Sequence, residues 1–302
     1  MIVSHILGGL GNQMFQYAYG RWLADRWDVP HYLDLREFAG YGLHAYQLDY
    51  FPHRAVALPP ELESRCPQHL HGARVRIAAK LPDWMRRGLC PVRERPFGFR
   101  PAYLKARPNS YLWGYWQSES FFPGHRETIL QDFAFPESTL SPRTREVAQA
   151  IEKQPSVFLH VRRGDYVTDP QTKAIYLSMG RDYYRAALDD LLQRQPNLHA
   201  YLFTNDPEWC RKEFDVGIPL HIVDHNNAAT CQEDLYLMSR CQYGVTANSS
   251  FSWWGAYLMT NPQRRVYAPA AWTATGRDDS HLPVADWQVL PVEGNAPAAV
   301  AG

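Results

Sequence analysis

From residue 157 onward, short apolar runs alternate with helical patterns, and this alternation restricts the chain more than any other feature. Val157-Phe158-Leu159-His160, His199 to Thr204, Leu220-His221-Ile222-Val223, Tyr243-Gly244-Val245-Thr246 and Arg265-Val266-Tyr267-Ala268 read as strands. Asp182 to Gln195, Pro207 to Phe214, Cys231 to Cys241 and Ser252 to Met259 read as helices between them. Short apolar strands separated by helices are the pattern of a parallel sheet covered on both faces. Such a sheet holds ligands outside the carboxyl ends of its strands. Polar residues directly after a strand are therefore the first places to look for chemistry.

The N-terminal half opens the same way and then loses regularity. Ile2 to Leu7 reads as a strand and Asn12 to Trp27 as a helix, with Phe15, Ala18, Tyr19 and Trp22 at helical spacing. His31-Tyr32-Leu33-Asp34 and Tyr111 to Tyr115 read as further strands. A helix from Ser141 to Lys153, with Ser141 as cap and Pro142 in its first turn, links the halves. The expected organisation is a domain over 1–140, a second over 141–292 and a frayed Ala/Gly/Pro-rich tail over 293–302.

Charge excludes one function class and marks one segment. Lys+Arg and Asp+Glu both number 31, without the basic excess of a nucleic-acid binder. Yet Arg74 to Arg107 holds ten basic residues against Asp83 and Glu94, a local charge of +8. That stretch suits a solvated basic face or peripheral contact with an anionic membrane. No apolar run approaches the roughly 18 residues of a membrane span. Met1 to Leu7 has no basic n-region and does not read as a signal peptide. The expected location is cytoplasmic, with peripheral association at the inner membrane face through 74–107. Cys66, Cys90, Cys210, Cys231 and Cys241 are scattered and never spaced CxxC, so neither a zinc site nor a disulfide framework is expected.

Four strand ends carry candidate chemistry. Gly8-Gly9-Leu10-Gly11-Asn12-Gln13 joins a strand to a helix. Its glycines allow positive φ or close approach to a ligand, and its helix start can face an anion or a sugar. The plain alternative is a tight turn capped by Asn12. His160-Val161-Arg162-Arg163-Gly164-Asp165-Tyr166 puts two arginines at a sheet's ligand edge. Their planar donor forks fit phosphate oxygens, and neighbouring strand positions give them different partners; the plain alternative is a surface ion pair, with Asp165 neutralising one of them. Thr204-Asn205-Asp206-Pro207 offers either a base-reading carboxylate or a cap for the helix beginning at Pro207. Asn248-Ser249-Ser250-Phe251-Ser252-Trp253-Trp254-Gly255 places hydroxyls at a helix start, as capping groups and as a phosphate site. On the preceding helix, Met238 reads as core, and Asp234 as a brace for an arginine.

Together, Gly8 to Ala18, His160 to Tyr166 and Asn248 to Gly255 closely resemble the corresponding segments of the glycosyltransferase family 11 fucosyltransferases, in order and separation. The resemblance spans roughly residues 1–270 and is thinnest over 36–110, where acceptor choice would vary. It implies an α/β, GT-B-like fold of two Rossmann-type domains facing a cleft, with the acceptor on the N-terminal side and the GDP-sugar on the C-terminal side. It implies inverting transfer of L-fucose from GDP-β-L-fucose to the 2-hydroxyl of a terminal β-galactoside, free or on a lipid-linked glycan, without a metal or other cofactor. By that resemblance Arg162 holds the β-phosphate, and Ser249 and Ser250 share its charge. His160 and Asp206 line the guanosine pocket, and Asn12 touches phosphate or fucose. Gly9, Gly11, Arg163, Asn205, Asp234, Asn248 and Phe251 complete the donor-binding set, with Arg163 paired to an acid such as Asp234. Asp165 is the nearest motif carboxylate for the base; the alternatives are that it only orients Arg162 or Arg163, that the base lies elsewhere, or that proton loss is late along an oxocarbenium-like path. The rivals are another GDP-deoxysugar such as colitose, a glycan-binding protein without turnover, and a protein that docks on membranes through its basic segment.

Overall fold

The computed structural model describes residues 1–67, 88–163 and 175–292. The chain forms two compact units, Met1–Pro136 and Glu137–Gly302.

In the first unit, β1 (Ile2–His5) leads into α1 (Leu10–Trp27), followed by β2 (His31–Asp34), β3 (Val56–Ala57), α2 (Pro60–Glu63), β4 (Cys90–Arg93), β5 (Ser110–Trp113) and α3 (Arg126–Asp132). The sheet is parallel, in the order β3-β2-β1-β5-β4, with Ile2 opposite both His31 and Ser110. α1 is buried on all sides rather than on one stripe, with Asn12 as the exception before Asp25. Gly11 and Gly20 inside it cost about 1 kcal/mol each relative to alanine. Burial of Met14, Phe15, Tyr17 and Leu23 outweighs this at about 1.5–3 kcal/mol each. Gly20 has a further purpose, since a Cβ there would overlap the Ser4 hydroxyl and the His31 ring. Ser4 and His31 themselves hydrogen-bond at 2.9 Å across β1 and β2.

The polar groups of α1 are matched. Gln16 Oε1 accepts from the Leu7 N–H at 3.0 Å, and its Nε2 donates to the Gly114 carbonyl at 3.2 Å. Arg21 Nε donates to Asp132 Oδ2 at 2.8 Å, Tyr17 Oη donates to the same oxygen at 2.6 Å, and Arg21 also pairs with Asp25. The helix begins at Leu10, not Asn12. Gly9 is its cap through the backbone alone, and its carbonyl accepts from the N–H groups of Asn12 at 2.9 Å and Gln13 at 3.1 Å. Asn12 is therefore not the cap.

In the second unit, α4 (Pro142–Glu152) is capped by Ser141, whose Oγ accepts from the Thr144 N–H at 3.2 Å. Then come β6 (Ser156–Val161), α5 (Arg181–Arg194), β7 (His199–Thr204), α6 (Pro207–Glu213), β8 (Leu220–Val223), α7 (Cys231–Arg240), β9 (Tyr243–Val245), α8 (Ser250–Tyr257), β10 (Arg265–Pro269) and β11 (Gln288–Leu290). The sheet is parallel, in the order β11-β10-β9-β6-β7-β8. Taken from β8, that is the doubly wound order, which reverses between β6 and β9. Every residue of β6 is buried, and Val157, Leu159 and Val161 pack with Tyr184, Leu188 and Leu191 of α5. α8 starts two residues before its expected first residue, because Ser249 caps it.

The basic segment is only partly covered by the described residues. Residues 74–87 lie outside them, as does the tail over 293–302. The part from Leu89 to Arg107 contains β4, which had no counterpart in the sequence reading. No helix among the described residues is long and apolar enough to cross a membrane. All five cysteines are free thiols.

Candidate active site

The second unit gathers its chemistry where the strand order reverses. His160 lies near the end of β6, with Arg162 and Arg163 directly after that strand. The His160 ring is buried, 5.9 Å from the ring of Phe251 at the start of α8. Burial, helped by the charge of Arg162, pushes its imidazole down to about 3, so it is neutral at ordinary pH. Its Nδ1 is one of the few buried side-chain polar atoms among the described residues without a hydrogen-bond partner. Such orphans ask for an explanation, and a ligand is one.

The two arginines separate. The Arg163 guanidinium lies 3.8 Å over the Trp209 ring, with its Nε 3.4 Å from Asp206 Oδ2. The Arg163 N–H donates to Asn205 Oδ1 at 2.9 Å. Asp206 Oδ1 accepts from the Trp209 N–H at 3.1 Å, capping α6. Of the two readings of Asp206, base-reading carboxylate or helix cap, the structure shows the cap, with an ion pair to Arg163 beside it, and Asn205–Asp206 organise Arg163. The pairing of Arg163 with Asp234 is not made. Asp234 Oδ1 instead accepts from Asn226 Nδ2 at 2.7 Å, and burial raises its carboxyl to about 7. Sequence proximity to a motif did not carry across the fold: Asp206 follows β7, the hydrogen-bonded neighbour of β6, whereas Asp234 sits on α7, after the edge strand β8.

After β9 the chain passes Ala247 and enters α8. Ser249 Oγ accepts from the Phe251 N–H at 3.3 Å, and Ser250 is the first helical residue, half-buried. Asn248 is turned inward: its Nδ2 donates to the carbonyls of Leu177 and Trp272, both at 2.8 Å. Those two bonds use both of its amide hydrogens, so the side chain pins two loops instead of offering a donor to a ligand. Met238 is core, as expected, and Trp253 and Trp254 are buried with it. Asp165 lies outside the described residues. Among the described residues, no group of three or more His, Cys, Asp or Glu could hold a metal ion.

The first unit has its own reversal of strand order, between β1 and β5. Gly8 has a φ of +89°, which glycine adopts without strain, whereas Gly9 is extended and Gly11 is buried inside α1. The motif's positive φ thus falls on Gly8, a residue outside the donor-binding set. Gln13, fully buried, donates through Nε2 to the carbonyls of Gly8 and Ala45, both at 2.8 Å, and accepts at Oε1 from the Gln47 N–H at 3.0 Å. This fixes a loop bearing Tyr41, Leu43 and His44, and the His44 ring lies against Gly9. Asn12 Oδ1 accepts from Gln117 Nε2 at 2.7 Å. Gln117 was missed by sequence reasoning, although Gly114-Tyr115-Trp116-Gln117 directly follows a strand. Glu94, read there only as a countercharge, is buried. It accepts from the backbone N–H groups of Gly98, Tyr115 and Trp116 at 3.0, 2.7 and 3.0 Å, which shapes the same turn.

The family model for glycosyl transferase family 11 matches residues 63–281. The chain belongs to this family. It is 31% identical over 279 residues to an alpha-1,2-colitosyltransferase of Escherichia coli, covering 90% of this chain and 92% of that protein. It is 29% identical over 272 residues to galactoside alpha-(1,2)-fucosyltransferase 1 of Sus scrofa, covering 83% of this chain and 63% of that protein. A solved structure of POFUT1 in complex with GDP superposes with a TM-score of 0.51 at 13% identity, covering 88% of this chain and 97% of that one. The two parallel-sheet α/β units are those of the GT-B fold, and the chain is a glycosyltransferase.

Proposed function

We propose that this glycosyltransferase moves L-fucose from GDP-β-L-fucose to the 2-hydroxyl of a terminal β-galactoside, with inversion and without a metal. The observation that carries the reading is the placement of Arg162 beside the neutral, buried His160 where the doubly wound sheet reverses, with the Ser249-capped start of α8 following the adjacent strand β9. As the bond from the sugar C1 to the diphosphate oxygen breaks, negative charge grows on the leaving GDP. Arg162, Ser249 and Ser250 are the groups that take up that charge, and a prepositioned donor of this kind contributes about 2.7–4 kcal/mol to the transition state. The acceptor oxygen bonds to C1 from the opposite face and loses its proton. Asp165, the carboxylate of the same motif, is the proposed acceptor of that proton. Arg163 acts as a braced neighbour, held by Asp206 and Trp209.

A second reading replaces fucose by colitose, its 3-deoxy relative, and the similarity to an alpha-1,2-colitosyltransferase favours it. One assay tests both. Purified protein with EDTA receives GDP-fucose or GDP-colitose together with lactose, and GDP release and product linkage are followed. A 2′-fucosylated product supports the first reading, turnover with GDP-colitose alone supports the second, and no GDP release from either donor refutes both. The basic segment adds a proposed peripheral attachment to anionic membrane. In its described part Arg95, Arg100, Lys105 and Arg107 are exposed, and each basic group near such a surface contributes about 1 kcal/mol.

A further inference from the structure

The hydrogen bond between Gln117 and Asn12 has a direction. An asparagine side chain carries an oxygen that accepts and a nitrogen that donates, and half a turn of the amide exchanges them. Here Gln117 Nε2 donates to Asn12 Oδ1 at 2.7 Å, which commits the oxygen and turns the nitrogen away from residue 117. On the nitrogen's side lies Gly8, where a Cβ would stand 3.0 Å from Asn12 Nδ2. Glycine there makes the turn and also keeps a side chain of residue 8 off that nitrogen. Asn12 follows β1 and Gln117 follows β5, the neighbouring strands between which the sheet order reverses. In this architecture that is where ligands are held.

We infer that Gln117 is a positioning residue. It holds the Asn12 amide with its N–H₂ group turned out to donate to a substrate oxygen, a phosphate oxygen of the nucleotide or an oxygen of a sugar. The inference rests on the glycosyl-transfer reading above. Gln117 itself need not touch substrate; its task is to deny the Asn12 amide its other orientation.

Three variants test this. Gln117→Glu keeps the size of the side chain but, once ionised, only accepts hydrogen bonds. It therefore draws the Asn12 nitrogen inward and presents the oxygen to the substrate. Gln117→Ala releases the amide, which then turns to suit the substrate. Asn12→Asp leaves Gln117 its acceptor and removes the donor. The expected kcat/KM falls about a hundredfold for Gln117→Glu and Asn12→Asp, in the range for loss of one preplaced donor, and about tenfold or less for Gln117→Ala. Thermal midpoints stay at the wild-type value. The Gln117→Glu defect persists in 1 M salt, where the Debye length is about 3 Å. A rise in the GDP dissociation constant assigns the oxygen to the nucleotide, and a rise confined to the acceptor KM assigns it to the acceptor; either supports the inference. A bond that only supports the fold gives the reverse order, with the size-preserving Gln117→Glu milder than Gln117→Ala, and that result overturns the inference. So does a Gln117→Glu defect that salt abolishes. Wild-type protein that releases no GDP overturns the transfer reading, and this inference with it.

Discussion

Arg162 and Arg163 are neighbours in sequence with different tasks. Arg163 is spoken for by an indole face, a carboxylate and the turn at Asn205. Arg162, directly after β6, is the arginine assigned to the phosphates under the proposed reaction. Arg162→Ala is expected to lower kcat by about a hundred- to a thousandfold while the circular dichroism spectrum and thermal midpoint are retained. Near-normal turnover would remove Arg162 from the mechanism. The strand ends that carry the motifs were legible because buried strands are apolar runs closed by polar residues. Their partners were not. Whether Arg163 meets Asp206 or Asp234 depends on which strands are neighbours, and Gln117 reaches Asn12 only because β5 pairs with β1. Asn248 falls in the donor-binding set in sequence, but two carbonyls from distant loops use its amide hydrogens.

At the scale of elements, burial decides what the sequence reveals. His199–Thr204 and Leu220–Val223 have the expected bounds, because strands covered on both faces are apolar runs closed by turn residues. β4 and β3 escaped for the opposite reason. They are the two edges of their sheet, β3 is only two residues long, and an edge tolerates the proline that β4 carries at Pro91. α1 was legible as a helix, but not as a helix enclosed on all sides, since its polar residues match partners far away in sequence. Its contact with β1 and β2 is the tightest test of that enclosure. Gly20→Ala must displace the Ser4 hydroxyl or the His31 ring. It is expected to destabilise the protein by about 1–3 kcal/mol in urea unfolding, as overpacking does, although alanine is the better helix former. A neutral or stabilising result would mean that α1 can shift off the sheet.

The two units share a liability toward acid. His31 in the first and His160 in the second are both buried, and burial pushes each imidazole down from 6.5 to about 3. The unfolded chain takes up protons below about pH 6.5 that the folded chain refuses until about pH 3. Stability is therefore full above that window and falls as pH drops through it, by up to about 1.4 kcal/mol per pH unit for each histidine. Urea unfolding at pH 7, 5 and 4 is expected to show this slope, and His160→Gln to reduce it. An unchanged slope would mean that His160 is protonated in the folded protein. The basic segment gives the other whole-molecule test. The protein is expected to co-sediment with anionic vesicles at low salt and to stay in solution at high salt, and failure at low salt would end the proposed attachment. Gln13 bears on the future of the molecule as well as its stability. It grips the loop at the Ala45 carbonyl and the Gln47 N–H, atoms that every residue but proline possesses. The anchorage of that loop therefore does not depend on the identity of its side chains, so a different surface can evolve beside the glycine turn while the grip of Gln13 stays the same.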